Sequence, residues 1–271
     1  MGKFSNVLIV TDLDGTLLDS KKQIGAKSAE AIRYFISEGG YFTFATGRLF
    51  QSCMGIYRQM ILNAPVIFAN GAQIVSMGNG NILHQVSLEE DFCPLCEQIL
   101  TEFPNVALEI YAHKRTGLVQ ANQISLKHML DFSIEHTLYH TPADMPFPWL
   151  KVLFTGSTED LTKVAAMIEA NYKKASVCFS SPVFLEVFNL CVDKGIGALK
   201  LAQILNVNKR HLYAAGDQEN DLPMLRASQI AFAPENAVAA VKKQADVILP
   251  DHNSDMMASL IQHLDSIYSV K

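Results

Sequence analysis

The sequence predicts an α/β protein in which a parallel-sheet core is interrupted by an inserted α+β domain. Three observations predict this. Over residues 1–83, short apolar runs alternate with segments of helical periodicity, as in a sheet built from βα units. From about residue 84 the alternation gives way to hairpin-like strand pairs and helices, which continue to residue 189. It resumes at residue 190 and runs to residue 271. With 271 residues, 49% of them hydrophobic, the chain can bury a large core and form two domains.

Val7–Thr11 is an apolar and β-branched run too short for a helix, the signature of a buried parallel strand. Lys21 to Gly25 reads as a loop. The helix after it starts near Ser28, with Ala29, Ile32, Phe35 and Ile36 on one face, and Gly39-Gly40 ends it. Tyr41–Ala45 and Pro65–Ala69 are the next two strands. Gln73–Ser76 and Ile82–Val86 form a hairpin around Met77-Gly78-Asn79-Gly80. In the insert, Leu88–Phe103, Gln123–Phe132 and Glu159–Tyr172 have helical spacing, and Ser157 begins the last of these with capping chemistry. Val106–Tyr111, Thr116–Gln120, Leu150–Thr155, Val177–Phe179 and Phe184–Phe188 are strands. Thr137–Pro148, with three prolines, reads as a connector. Back in the core, Ile196–Leu205 is a helix, His211–Ala215, Ile230–Ala233 and Asp246–Leu249 are strands, and Ser254–Ile267 is a final amphipathic helix.

The net charge of −5 is spread without a basic stripe or arm, which argues against a nucleic-acid partner. No apolar run approaches the roughly 18 residues of a membrane span, so no membrane partner is expected. The first residues enter a strand without a signal-peptide core. Five cysteines fit a reducing cytoplasm better than a disulfide framework. Cys93-Pro-Leu-Cys96 with His136 and His140 superficially suggests a zinc site, but the gap of about 39 residues far exceeds the expected 12–15. His113-Lys114-Arg115 is the one cluster in the insert suited to an anionic substrate, and a solvated strand end explains it more simply.

Polar groups collect at strand ends. Asp12 terminates the first strand, with Asp14-Gly15-Thr16 behind it. Thr46 ends the second, Asn70 the third, and Asp217 the strand before Gly216-Asp217-Gln218-Glu219-Asn220-Asp221. If these strands are parallel, all four residues face the sheet edge where open α/β sheets bind ligands. Thr46 suits a helix N-cap or a phosphate, because a hydroxyl and helix N-terminal N–H groups both donate to an anion. Asp12, Asp14, Asp217 and Asp221 together would repel strongly, so either some hold protons or a cation sits among them.

Asp-Leu-Asp-Gly-Thr-Leu-Leu at 12–18 resembles the first motif of the haloacid-dehalogenase-like phosphatases, in their Cof-like branch. Ala-Thr-Gly-Arg at 45–48 resembles the second, Lys194 before a helix the third, and Gly-Asp-Gln-Glu-Asn-Asp at 216–221 the fourth. The resemblance implies a Rossmann-like core and an α+β cap between the second and third motifs that selects substrate. It implies Asp12 as nucleophile and Asp14 as general acid/base. Mg²⁺ would be held by the carboxylates of Asp12 and Asp217 and the backbone carbonyl of Asp14. Asp221 and Asn220 would order the metal's waters or the phosphate, and Lys194 would pair with nucleophile and phosphate. Gly15, Thr46, Gly47 and Arg48 complete the phosphate and substrate set, Arg48 meeting either substrate or a domain interface.

The implied reaction is Mg²⁺-dependent hydrolysis of small phosphorylated metabolites, sugar phosphates or phosphorylated cofactors, through an aspartyl phosphate. A phosphomutase and a phospho-ligand-binding protein without turnover are the alternatives. An acid role for Asp14 requires a proton near neutrality, hence a pKa above the usual value of about 4. Two stretches depart from the family pattern: Ala233-Pro234-Glu235-Asn236 and Asn253-Ser254-Asp255-Met256.

Overall fold

The computed structural model describes residues 2–57 and 60–269. In chain order the strands are β1 (Leu8–Asp12), β2 (Tyr41–Ala45), β3 (Val66–Phe68), β4 (Gln73–Ser76), β5 (Asn81–Gln85), β6 (Ala107–Ala112), β7 (Arg115–Val119), β8 (Thr137–Tyr139), β9 (Lys151–Thr155), β10 (Ala175–Ser181), β11 (Phe184–Asn189), β12 (Leu212–Ala215), β13 (Ile230–Pro234) and β14 (Val247–Leu249). The helices are α1 (Ala26–Ser37), α2 (Phe50–Tyr57), α3 (Cys93–Glu102), α4 (Gln123–Asp131), α5 (Thr158–Asn171), α6 (Lys194–Ile204), α7 (Leu222–Ala227), α8 (Ala239–Gln244) and α9 (Met256–Tyr268).

The chain divides into two compact units. The first comprises residues 1–49, 53–84 and 193–271, the second 50–52 and 85–192. The first unit's eight-stranded sheet runs β14-β13-β12-β1-β2-β3-β4-β5. β13, β12, β1, β2 and β3 pair in parallel, with β14 parallel at one edge and β4 turning antiparallel beyond β3. Strands buried on both faces need apolar residues throughout, and β1 is buried along its whole length. Leu8, Val10, Leu212 and Ala214 pack with Leu201 of α6, Met224 of α7 and Val241 of α8. Helices α1 and α9 pack on each other, with α1 also against β2 and α9 against β14. The order of the sheet is what matters for function: β1 lies between β2 and β12, so the ends of all three open side by side.

The second unit is a six-stranded sheet, β10-β11-β9-β6-β7-β8, antiparallel except for β7 with β8. On one face, alternate residues Leu108, Ile110, Val152, Phe154, Leu185 and Val187 pack with α3 and α5 and with buried Trp149. On the other, α4 covers Ala107 and Leu118 through Met129. No described helix is long and apolar enough to cross a membrane.

The predicted connector Thr137–Pro148 contains β8, a three-residue strand paired with β7. All three prolines fall after it, and three residues are too few for alternation to register. The short helices α7 and α8 were likewise not expected; at six residues each, neither spans two turns of periodicity.

Candidate active site

β1 delivers Asp12 to the sheet edge and the chain reverses at once. Leu17 N–H donates to Asp12 O at 3.3 Å and Leu18 N–H to Leu13 O at 2.9 Å, which presents Asp14 and Gly15 beside Asp12. Gly15 adopts φ +83°, and a Cβ there would lie 2.7 Å from Asp217 Oδ2, so the turn accepts no larger residue without displacing that carboxylate. Thr16 Oγ1 donates to Asp217 Oδ1 at 2.6 Å and ties the turn to the end of β12. A second glycine, Gly71 at φ +107°, brings the turn after β3 against the start of α6. A Cβ there would stand 2.1 Å from Asp193 O. Asp193 caps α6 by accepting from Ile196 N–H at 2.6 Å, which makes Lys194 the helix's first residue.

Lys194 is the hub of the site. Its ammonium lies 2.5 Å from Asp12 Oδ1 and 2.5 Å from Asp221 Oδ1, and its side chain is 1% exposed. Asp221 Oδ2 accepts from the backbone N–H groups of Asp217 (2.9 Å) and Gln218 (3.0 Å). Asp12 Oδ2, by contrast, has no hydrogen-bond partner among the described residues. Carboxylate oxygens of Asp12, Asp217 and Asp221 lie within 4.8 Å of one another. With all three ionised and Lys194 protonated, this buried cluster carries a formal charge of −3 + 1 = −2. A divalent cation matches both that charge and an all-oxygen donor set. Asp12 Oδ2 is bare, and each Asp217 oxygen accepts a single side-chain hydrogen bond, Oδ1 from Thr16 at 2.6 Å and Oδ2 from Gln218 Nε2 at 3.1 Å, whereas Asp221 gives one oxygen to Lys194 and the other to two backbone N–H groups.

The electrostatics follow. Burial pushes the Asp12 carboxyl up, with Asp221 and Asp217 adding to it, against the pull of Lys194. Burial opposes the Lys194 charge too, but Asp12 and Asp221 outweigh it and hold the ammonium above its ordinary value. Asp217 is raised by burial and by Asp221, against the Thr16 hydrogen bond.

Asp14 is different, and here the expectation from sequence is corrected. Arg48 grips its carboxylate with two parallel bonds, Nε to Oδ2 and a terminal nitrogen to Oδ1, both 2.7 Å. Lys22 Nζ adds a third at 2.8 Å. Burial would raise the Asp14 pKa, but these cations outweigh it and hold the carboxyl below its usual range. In this arrangement Asp14 is a carboxylate, not the protonated acid expected. The same contacts assign Arg48 a partner, Asp14, which the sequence left undecided.

Thr46 follows β2 and is 2% exposed. Its hydroxyl accepts from Arg48 N–H at 3.1 Å, as a cap would, and keeps its own O–H proton to donate. A Cβ on Gly47 would come within 3.2 Å of Asn70 Oδ1. Asn220 is exposed and donates to that same oxygen at 3.1 Å, so its amide lies on Asn70 and not on a carboxylate. The structure therefore brings Asp12, Lys194, Asp217 and Asp221 into one cluster and holds Asp14 with Arg48 beside it.

Sequence reasoning assigned no role to Asn236, Lys22 or the Thr16 hydroxyl. Asn236 Nδ2 donates to Gly15 O at 2.8 Å, while its Oδ1 accepts from His252 N–H at 3.1 Å, clamping the β1 turn from behind. Asn236 lies in one of the two stretches that depart from the family pattern, and that departure is its signal in the sequence.

A family model described as haloacid dehalogenase-like hydrolase matches residues 9–261. The 5-amino-6-(5-phospho-D-ribitylamino)uracil phosphatase YcsE of Bacillus subtilis is 27% identical over 256 residues, covering 94% of each chain. An HMP-PP phosphatase of Escherichia fergusonii is 28% identical over 240 residues, 88% of this chain and 87% of that one. Among solved structures, a haloacid dehalogenase-like hydrolase from Bacteroides thetaiotaomicron superposes with a TM-score of 0.82 at 24% identity, over 95% of this chain and 99% of that one. A HAD subclass IIB sugar phosphatase gives 0.80 at 18% identity, over 95% and 98%. The two structures show the fold, and the family match takes in all four motifs: the chain belongs to the haloacid dehalogenase-like hydrolases, in their Cof-like branch of phosphatases.

Proposed function

We propose that the protein is a Mg²⁺-dependent phosphomonoesterase for small phosphorylated metabolites, working through a phosphoryl group carried on Asp12. The observation that carries this reading is the Lys194 bridge. A buried ammonium holds one oxygen of Asp12 and leaves the other bare, beside an Asp217 carboxylate whose oxygens each accept one side-chain hydrogen bond. Asp12, Asp217 and the Asp14 backbone carbonyl would hold the cation. Asp221 would act from behind by fixing Lys194. When bound, Mg²⁺ supplies charge neutralisation between the attacking carboxylate and the phosphoryl oxygens.

In the first step an Asp12 oxygen forms a bond to phosphorus and the bond to the ester oxygen breaks. Lys194 and the Thr46 hydroxyl donate to the phosphoryl oxygens as charge develops. The departing oxygen takes a proton from Asp14, which must therefore acquire one by loosening its contacts with Arg48 and Lys22. In the second step Asp14 takes a proton from water, which attacks phosphorus and frees Asp12. The carboxylate form found here is the one this second step needs.

We also propose that residues 84–189 act as a cap that selects substrate. They lie between the second and third motifs and hold none of the four. The relatives' names, an HMP-PP phosphatase, a phosphoribitylaminouracil phosphatase and a sugar phosphatase, set the first substrate panel to try. Asp12→Asn should lower turnover on any hydrolysed ester by several orders of magnitude, and EDTA should abolish activity that Mg²⁺ restores. Substantial turnover by metal-free enzyme would rule the mechanism out. In ¹⁸O-water the released phosphate should carry label; an isomeric phosphate without label would make the enzyme a mutase.

A further inference from the structure

The second unit buries a carboxylate that the phosphatase reading does not use. Glu109, on β6, is 0% exposed. It accepts from Tyr111 OH and from His128 Nδ1, the latter at 2.9 and 3.0 Å from its two oxygens. Burying a charge inside a cap sheet is costly, and replacing such a group by an apolar one is often neutral or stabilising. What Glu109 does here is fix an imidazole. In the neutral imidazole, Nδ1–H goes to the carboxylate and Nε2 is the ring's acceptor. Nε2 has no partner among the described residues. The ring is held in place by Phe132 at 5.1 Å and Phe184 at 4.8 Å between centroids.

His128 lines a cavity of about 430 Å³ between α4 and the start of β11. That volume is in the range of small-molecule sites. Ile124, Phe132, Val183 and Phe184 form its apolar walls. Its charged members cancel: Lys127 is paired with Asp131 at 2.7 Å. Just outside, Glu186 is paired with Lys151 at 3.0 Å. No uncompensated positive charge is present to hold an anion. The remaining polar lining is the exposed Gln123 and, between the aromatic rings, the His128 imidazole.

We propose that this cavity is a second ligand site, for a neutral, flat aromatic or heteroaromatic molecule that donates a hydroxyl or ring N–H to His128 Nε2. The site is separate in chemistry from the phosphate-binding core: it selects a ring and a donor, and it rejects phosphate.

The test uses the full chain with labelled histidine and phenylalanine, followed by NMR. 4-Ethylphenol should shift the His128 and Phe184 signals saturably. Its methyl ether, 4-ethylanisole, keeps the ring but loses the donor and should bind about tenfold more weakly. His128→Leu should erase that difference, while Ile124→Trp or Val183→Trp should abolish binding of both probes. Inorganic phosphate should leave the signals unmoved. Because His128→Leu also strips Glu109 of a partner, a failure of that variant to fold leaves the phenol–ether comparison and the cavity-filling variants to decide. Equal affinity for phenol and ether in the unmodified chain would overturn the proposal. So would the absence of a saturable shift up to the solubility limit, or a saturable response to phosphate.

Discussion

Replacing Lys194 by methionine removes the cation that Asp12 and Asp221 share, at similar volume and without a new polar group. In metal-free protein the buried cluster would change from a formal −2 to −3. Removing one partner of a buried ion pair costs about 3–5 kcal/mol, because the remaining charge is uncompensated. Part of that is recovered by protonation. Asp12 and Asp217 are already raised in the folded state, and Lys194 is what pulls Asp12 down. A carboxyl with a raised folded pKa binds its proton more tightly folded than unfolded. Its effect on stability is therefore unfavourable as pH rises from the unfolded value of 3.8 through the folded one. The variant should hold up to about one more proton than wild type, so its stability should fall more steeply with pH, by up to about 1.4 kcal/mol per unit. Between pH 7.5 and 9.5, as wild type loses the Asp12 proton near its folded value of about 8 and the variant keeps it, the gap between the two proteins should widen by up to about 2 kcal/mol. The contribution of Lys194 itself is constant over that window. Its raised pKa keeps the stabilisation complete below 10.5 and loses it only as pH climbs through the higher folded value. Urea unfolding in EDTA at the two pH values measures the gap, and Mg²⁺ added back should stabilise the variant more than the wild type. Equal stability within about 0.5 kcal/mol, or a gap independent of pH, would refute the assignment of Lys194 as the charge that holds this cluster together.

Arg48→Gln removes the strongest influence holding Asp14 ionised, so its carboxyl should rise toward the ordinary value. The acidic limb of the dephosphorylation rate, measured by single turnover, should then move to higher pH, and an unmoved limb would mean Asp14 is not the base. Asn236→Ala cuts both bonds of the clamp behind Gly15. A loss of about 1–3 kcal/mol in urea unfolding and a several-fold drop in turnover are expected, whereas an unchanged rate would show that the turn holds itself. Gly15→Ala forces a side chain into φ +83° and against Asp217. It should cost about 1–3 kcal/mol and weaken Mg²⁺ protection against thermal unfolding, an effect absent if Asp217 is not a ligand.

The core strands were legible because burial on both faces demands continuous apolar runs. Tyr41–Ala45 was expected and found with the same limits. The carboxylate cluster was legible for a related reason: parallel strands flanking β1 carry whatever follows them to one edge, so Asp12, Thr46 and Asp217 are neighbours by topology. The partners of Asp14 were not legible. Lys22 sits in a polar loop, at φ +60°, where a lysine is ordinarily solvated, and nothing in its surroundings in sequence points back to Asp14. Asn236 is 221 positions from the carbonyl it clamps, and side-chain-to-backbone contacts at that separation leave no periodicity to read.

Asp12 and Asp14 lie two residues apart in one turn, yet their surroundings push them in opposite directions. Asp12 is buried among carboxylates and raised, while Asp14 is half in solvent between two cations and lowered. For the proposed chemistry that is the reverse of what the first step requires, since the nucleophile must be ionised and the acid protonated. Both shifts are correctable by the reactants. A divalent cation against Asp12 and Asp217 would stabilise the nucleophile's charge. A phosphate dianion beside Asp14 would compete for Arg48 and Lys22 while raising the local negative potential, and both effects push Asp14 toward its protonated form. On the proposed mechanism, protonation states matched to the first step therefore arise only when metal and phosphate ester are both present. Once the leaving group has gone, Arg48 and Lys22 can draw Asp14 back to the carboxylate that activates water.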